Sequence, residues 1–284
     1  MKPNESLLKL SLAQWSLHKT IQSGELDKLD FALKAKQLGF DAVEYVSRFY
    51  TEESKTKAAF DTLLKEMKQR SDDAGVNNLL IMVDGEGALA SHNKSECKQA
   101  VENHKKWVEA VALLGGHSLR VYLLGNDADE LRWLESSAES LSRLATYAKA
   151  DNLNVIVENH GGFSSKGILM AQLMRSINLP NVGTLPDFGN FCIKRDGGQK
   201  WPSPCVETYD RYRGITEMLP FAKGVSAKSY DFDTLGNETT IDYIRMLKIV
   251  RESGFDGYIG IEYEGQRLTE TEGILATKNL LLGL

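Results

Sequence analysis

ESGFDGYIGIEY, residues 252–263, and QLGFDAVEY, residues 37–45, are the same phrase written twice. Each runs from a helix end through a glycine, an aromatic and an aspartate into an apolar stretch containing a glutamate. Glycine takes the left-handed conformation that commonly closes a helix, so Gly254 and Gly39 read as stop signals, and Gly75 and Gly115 repeat them. Short apolar runs of strand length recur outward from these phrases, at 8–15, 42–46, 79–83, 119–123, 155–158, 182–185, 224–228 and 258–262. Stretches of helical period lie between them, at 26–37, 60–73, 98–114, 131–150, 168–177, 209–218, 241–252 and 270–282. In the first of these, Leu29, Leu33 and Lys36 are expected near one another, with Phe31 and Ala35 on the flank.

Strict alternation predicts a parallel sheet with helical crossovers. Eight such units in 284 residues fit a single α/β domain over 1–284, a closed (β/α)8 TIM barrel. An open doubly wound sheet would carry a glycine-rich phosphate turn after its first strand, and SLHKTIQSGE at 16–25 has none. FGNFCIKRDGGQKWPSPCVE at 188–207 is long for a plain connection. With Lys194, Arg195 and Trp201 it reads as a lid over the barrel mouth, a surface excursion being the alternative.

The totals narrow the function class. Hydrophobic residues at 42% and charged residues at 26% suit a soluble globular enzyme. A net charge of −5 without a basic stripe argues against nucleic acid as partner, and no apolar run has the length of a membrane span. MKPNES at the start lacks an apolar signal stretch, so a cytoplasmic protein is expected, with export left open. Cys97, Cys192 and Cys205 are expected as free thiols, a Cys192–Cys205 bridge being the alternative for an exported chain.

In a parallel barrel, polar residues at C-terminal strand ends face the active site. Glu158 ends one apolar strand, Asp187 follows VGTLP and Glu262 ends another. Three carboxylates on one mouth repel, and a divalent cation is the simplest device for holding them ionised together; separate ion pairs are the alternative. His160, two residues beyond Glu158, can ligate metal, bind a substrate hydroxyl or transfer protons, or else anchor the Gly161–Gly162 turn. Lys228 is expected to face the mouth, neutralising carboxylates or stabilising a developing oxyanion. Glu44 and Arg120 are candidate substrate binders, with core ion pairing as the competing role. Gln14 and Trp15 are candidates for an apolar wall against a sugar ring, Trp201 for the lid, and His18 for the rim. His92, His104 and His117 are expected in solvated positions.

VIVENH (155–160), LPDFGN (185–190) and IGIEYEG (259–265) resemble motifs of the xylose-isomerase-like TIM barrel superfamily, the sugar phosphate isomerases and epimerases. The resemblance spans nearly the whole chain. It implies a metal (Mn, Mg, Zn or Co) held by Glu, Asp, His and Glu from strands five to eight, with Glu158, Asp187 and Glu262 matching three of the four. It also implies Glu158 and Glu262 as the acid–base pair for carbon-bound protons. Strand seven departs: relatives often read H-x-K-D, whereas VSAKS (225–229) places Ser226 at the histidine. Asn190 stands where epimerase relatives often carry a histidine that touches substrate. The implied activity is a metal-dependent isomerase or epimerase of a sugar or sugar phosphate, working through an enediolate on a small carbohydrate. The alternatives are a lyase or hydratase acting on a keto-sugar at the same site and a non-catalytic sugar-binding barrel. A homo-oligomer is compatible with all three.

Overall fold

A computed structural model describes residues 8–124, 129–198 and 203–284. Its strands are β1 (Lys9–Ala13), β2 (Ala42–Val46), β3 (Asn77–Met82), β4 (Ser118–Val121), β5 (Asn154–Glu158), β6 (Val182–Leu185), β7 (Cys192–Arg195), β8 (Cys205–Thr208), β9 (Val225–Ser229) and β10 (Tyr258–Tyr263). The helices are α1 (His18–Gln22), α2 (Phe31–Gln37), α3 (Lys57–Ala74), α4 (Lys94–Leu114), α5 (Glu130–Ala148), α6 (Gly167–Ile177), α7 (Arg211–Met218), α8 (Tyr243–Glu252) and α9 (Glu270–Gly283). Eight strands form one parallel sheet in the order β6-β5-β4-β3-β2-β1-β10-β9. Backbone bridges Thr184–Ala222 and Asp187–Ser226 join its two edges, so the sheet closes as a TIM barrel.

The barrel strands are buried along most of their length because helices cover one face and the barrel interior the other. Trp107 on α4 packs edge-on against Phe60 of α3, and Trp133 on α5 packs edge-on against Phe163, both fully buried; burying a large apolar side chain contributes roughly 1.5–3 kcal/mol. Gly75 and Gly115 end α3 and α4 at φ 64° and 76°, as the helix-stop reading predicts.

The structure corrects the sequence reading at several points. A 3-10 segment, Lys28–Asp30, precedes α2 and resets its phase, so Phe31, Ala32 and Ala35 are buried while Leu33 is 48% exposed. Strand one stops at Ala13, and Trp15 sits on the following 3-10 turn, Gln14–Leu17. The stretch 188–207 contains an antiparallel hairpin, β7–β8, rather than an irregular loop. Cys192 and Cys205, expected as free thiols, are joined by a disulfide across that hairpin, because strand pairing invisible to periodicity brings them together. Cys97 is free and buried. His104, expected in solvent, is buried on the inner face of α4, its Nδ1 2.7 Å from the Ala100 carbonyl. Among the described residues, no helix is long and apolar enough to cross a membrane.

Candidate active site

The C-terminal ends of the barrel strands surround a cavity of about 480 Å³. Glu158 at the end of β5 and Glu262 on β10 line it, and Asp187, just beyond β6, is fully buried beside them. Each offers an oxygen, and these oxygens lie within 4.8 Å of one another. At that spacing each pair of full charges opposes by roughly 3 kcal/mol at an effective dielectric of about 20, so the cluster needs cations beside it.

Two come from the chain. Arg120, projecting from β4, lies with Nη1 2.9 Å from Asp84 Oδ1 and Nε 2.9 Å from Glu158 Oε2. The Nε–H is not aimed along the second contact, which is an ion pair without a hydrogen bond, and Glu158 Oε2 has no donor. Lys228 on β9 places Nζ 3.0 Å from Glu262 Oε1, 3.2 Å from Glu264 Oε2 and 3.9 Å from Asp187 Oδ2. Burial opposes both charges, but the neighbouring acids outweigh it and hold Arg120 and Lys228 protonated. Burial pushes Glu158 and Glu262 up to about 7 and Asp187 up to about 6.

The local sequence explains how these groups are aimed. Asn159, between Glu158 and His160, accepts from the Asp187 backbone N–H at 2.7 Å and donates to the Asp187 carbonyl at 3.0 Å, clamping β5 to the loop that carries the aspartate. Asp187 Oδ1 accepts the backbone N–H groups of Gly189 and Asn190, each at 2.8 Å. Gly189 leaves room for Lys228, since a Cβ there would come within 2.8 Å of the lysine Cδ. Asn190 donates its amide to Glu158 Oε1 at 3.0 Å and lines the cavity. Ser226 donates its hydroxyl to Asp187 Oδ2 at 2.7 Å.

His160 also lines the cavity, its ring 4.3 Å from that of Tyr122. Burial, with Lys228 and Arg120 adding to it, pushes the imidazole down to about 3, so it is neutral. Trp15 stacks on His18 at 4.6 Å and donates its indole N–H to Glu264 Oε1 at 2.6 Å, and both rings line the mouth. Two candidates lie elsewhere. Glu44 is buried in the barrel interior below the cavity, where it accepts from Ser11 at 2.6 Å. Gln14 is buried away from the wall, bonded to Tyr50 and to the Val46 backbone. Trp201 lies outside the described residues. Among the described residues of β7 and β8, none lines the cavity.

Tyr122, Glu264 and Tyr230 line the mouth and were missed from sequence, as was Asp84. The first three each stand two residues beyond an identified candidate (Arg120, Glu262, Lys228), so strand alternation could have found them. Asp84 follows β3 and carries no periodic signal.

The donor set suits a divalent cation. It consists of hard carboxylate oxygens in convergence, one of them (Glu158 Oε2) without a hydrogen bond. Ser226 supplies a hydroxyl at the fourth position, a weaker donor than imidazole.

The family model described as xylose isomerase-like TIM barrel matches residues 32–281. No curated protein matches the chain in sequence. Among solved structures, a 3-keto-D-glucoside 4-epimerase from E. coli superposes with a TM-score of 0.73 at 13% identity, covering 98% of this chain and 100% of its own. An L-ribulose 3-epimerase gives 0.73 at 14% identity, covering 97% and 95% respectively. The IOLI protein with a bound zinc atom gives 0.69 at 14%, covering 97% and 98%. At such identities these likenesses concern the fold.

Proposed function

The chain belongs to the xylose isomerase-like TIM barrel family, and from that premise we propose that it is a divalent-metal-dependent sugar isomerase or epimerase. The observation that carries the reading is the convergence of Glu158, Asp187 and Glu262, two of which, Glu158 and Glu262, line the cavity. A neutral sugar can be bound without so costly a cluster, whereas proton transfer at carbon makes use of positioned carboxylates. The epimerase activities named for two of the similar structures agree with it.

Glu158, Asp187 and Glu262 would hold the cation, which when bound would supply Lewis-acid polarisation of a carbonyl and its adjacent hydroxyl. Glu158 removes the proton from the carbon between them. Arg120 favours its ionised form, and Asn190 occupies Oε1 while Oε2 stays free of hydrogen bonds. Lys228 offsets the negative charge that develops on the enediolate. Glu262, on a non-adjacent strand, returns a proton to the neighbouring carbon or to the opposite face. Neutral His160 and Tyr122 position sugar hydroxyls, and Trp15 forms the apolar wall.

The reading is tested by incubating the Mn²⁺-supplemented protein with a panel of aldoses, ketoses and keto-glycosides in D₂O and following carbon-bound deuterium by NMR. Exchange with formation of an isomer or epimer is expected. Loss of a β-substituent instead would make the protein a lyase, and tight binding without any exchange would make it a binding barrel.

A further inference from the structure

Resting on the reading of the mouth as a carbohydrate site, we infer that its substrate carries no phosphate: the site takes an uncharged sugar or glycoside. TIM barrels that bind phosphate commonly seat it on backbone N–H groups of the loops after strands seven and eight and on helix N-termini. In this chain the corresponding donors are already occupied by the protein's own carboxylates.

In the loop after β9, buried Glu238 accepts the backbone N–H groups of Tyr230 at 3.1 Å, Thr240 at 2.6 Å and Ile241. In the loop after β10, Asp231 Oδ1 accepts those of Gln266 at 2.8 Å and Arg267 at 2.9 Å. Beyond β1, buried Glu270 takes the N–H groups of Lys19 at 2.7 Å and Thr20 at 2.9 Å. The first turns of α8 and α9 are capped by Asp242 and by the Thr269–Glu272 capping box. A phosphate entering any of these places would displace a carboxylate and leave it without its donors, so little net attraction remains.

The cavity's buried cations are committed in the same way. Arg120 is held between Asp84 and Glu158, and Lys228 between Glu262 and Glu264. Among the described lysines and arginines lining the cavity, the other is Arg48, exposed at the rim with its guanidinium 5.9 Å from the Trp15 ring. A solvated rim arginine alone adds little affinity for an anion. Beside it, the Trp15 and His18 rings offer a flat face of the kind that packs against the C–H face of a sugar.

The test is calorimetric titration of the Mg²⁺-supplemented full chain with three matched pairs: D-fructose and its 6-phosphate, D-ribulose and its 5-phosphate, D-glucose and its 6-phosphate. Arg48→Ala is titrated in parallel. The expected result is that at least one parent sugar saturates the protein, that no ester binds more than about threefold tighter than its parent, and that Arg48→Ala leaves the ratios unchanged; a panel in which no parent sugar saturates overturns the claim that the site takes an uncharged sugar. An ester that binds wild type more than threefold tighter than its parent overturns the inference. Failure of the isomerase reading is distinguishable: a protein that exchanges deuterium into no sugar loses that reading, while the ester-to-parent ratio still decides this one.

Discussion

Asp187 and Ser226 pair through their backbones where β6 meets β9, and the Ser226 hydroxyl donates to Asp187 Oδ2 at 2.7 Å across that seam. The seam that closes the barrel is therefore also one side of the carboxylate cluster. Ser226 occupies the strand position at which the family resemblance implies a histidine ligand. Replacing it should restore the missing donor: Ser226→His is expected to bind Zn²⁺ or Co²⁺ about tenfold or more tighter than wild type, and Ser226→Ala to change affinity little. Isothermal titration checks this, and equal affinity in wild type and Ser226→His would mean that the position does not face the metal.

Arg120 lowers the proton affinity of Glu158 against the upward push of burial. Arg120→Met removes that support and leaves Glu158 buried without its cation. The acid limb of the kcat/KM profile should move to higher pH, and stability should fall by about 3–5 kcal/mol. Arg120→Lys, which keeps the charge, should move the limb less. An unmoved limb in Arg120→Met would confine the arginine to packing.

Glu44 gives a pH signature separate from catalysis. Burial raises its carboxyl from an ordinary 4.5 to about 7. Between those values the folded protein keeps a proton that the unfolded chain has released, so the stability this group contributes at low pH is lost as pH rises through about 7. Glu44→Gln should therefore match wild type near pH 4.5 and exceed it by up to about 3 kcal/mol above pH 8, read from denaturation midpoints across pH. Gly260→Ala should destabilise at every pH, since its Cβ would lie 2.3 Å from Glu44 Oε1.

The hairpin is tested in two ways. Reduction of Cys192–Cys205 releases a constraint across a 13-residue separation and should speed hydrogen exchange in β7 and β8 more than in the barrel strands. If the hairpin also closes over substrate, Trp201→Ala should lower kcat/KM without lowering the melting temperature. The reverse pattern would assign Trp201 to packing.

Much of this was legible in the sequence for definite reasons. The alternation of apolar runs with helical period implies a parallel barrel, and strand-end acids in such a barrel must converge, which is why Glu158, Asp187 and Glu262 could be found together. Glu44 followed the same pattern yet sits lower, because the depth of a residue in a barrel depends on strand stagger, which periodicity does not encode. The Cys192–Cys205 bond depends on hairpin pairing between a half-buried strand and an exposed one, neither with an apolar pattern. Asp84 lies on a loop, and the burial of His104 depends on how α4 is rotated against the sheet.

The measurement that bears most directly on the central claim is solvent deuterium uptake by wild type, Glu158→Gln and Glu262→Gln, with the sugar that wild type turns over and with its product. Each substitution keeps shape and removes a proton acceptor. The account predicts that each variant still binds the sugar but exchanges about 10²–10⁴-fold more slowly or worse, since metal affinity also suffers. Exchange at the wild-type rate in either variant would contradict it.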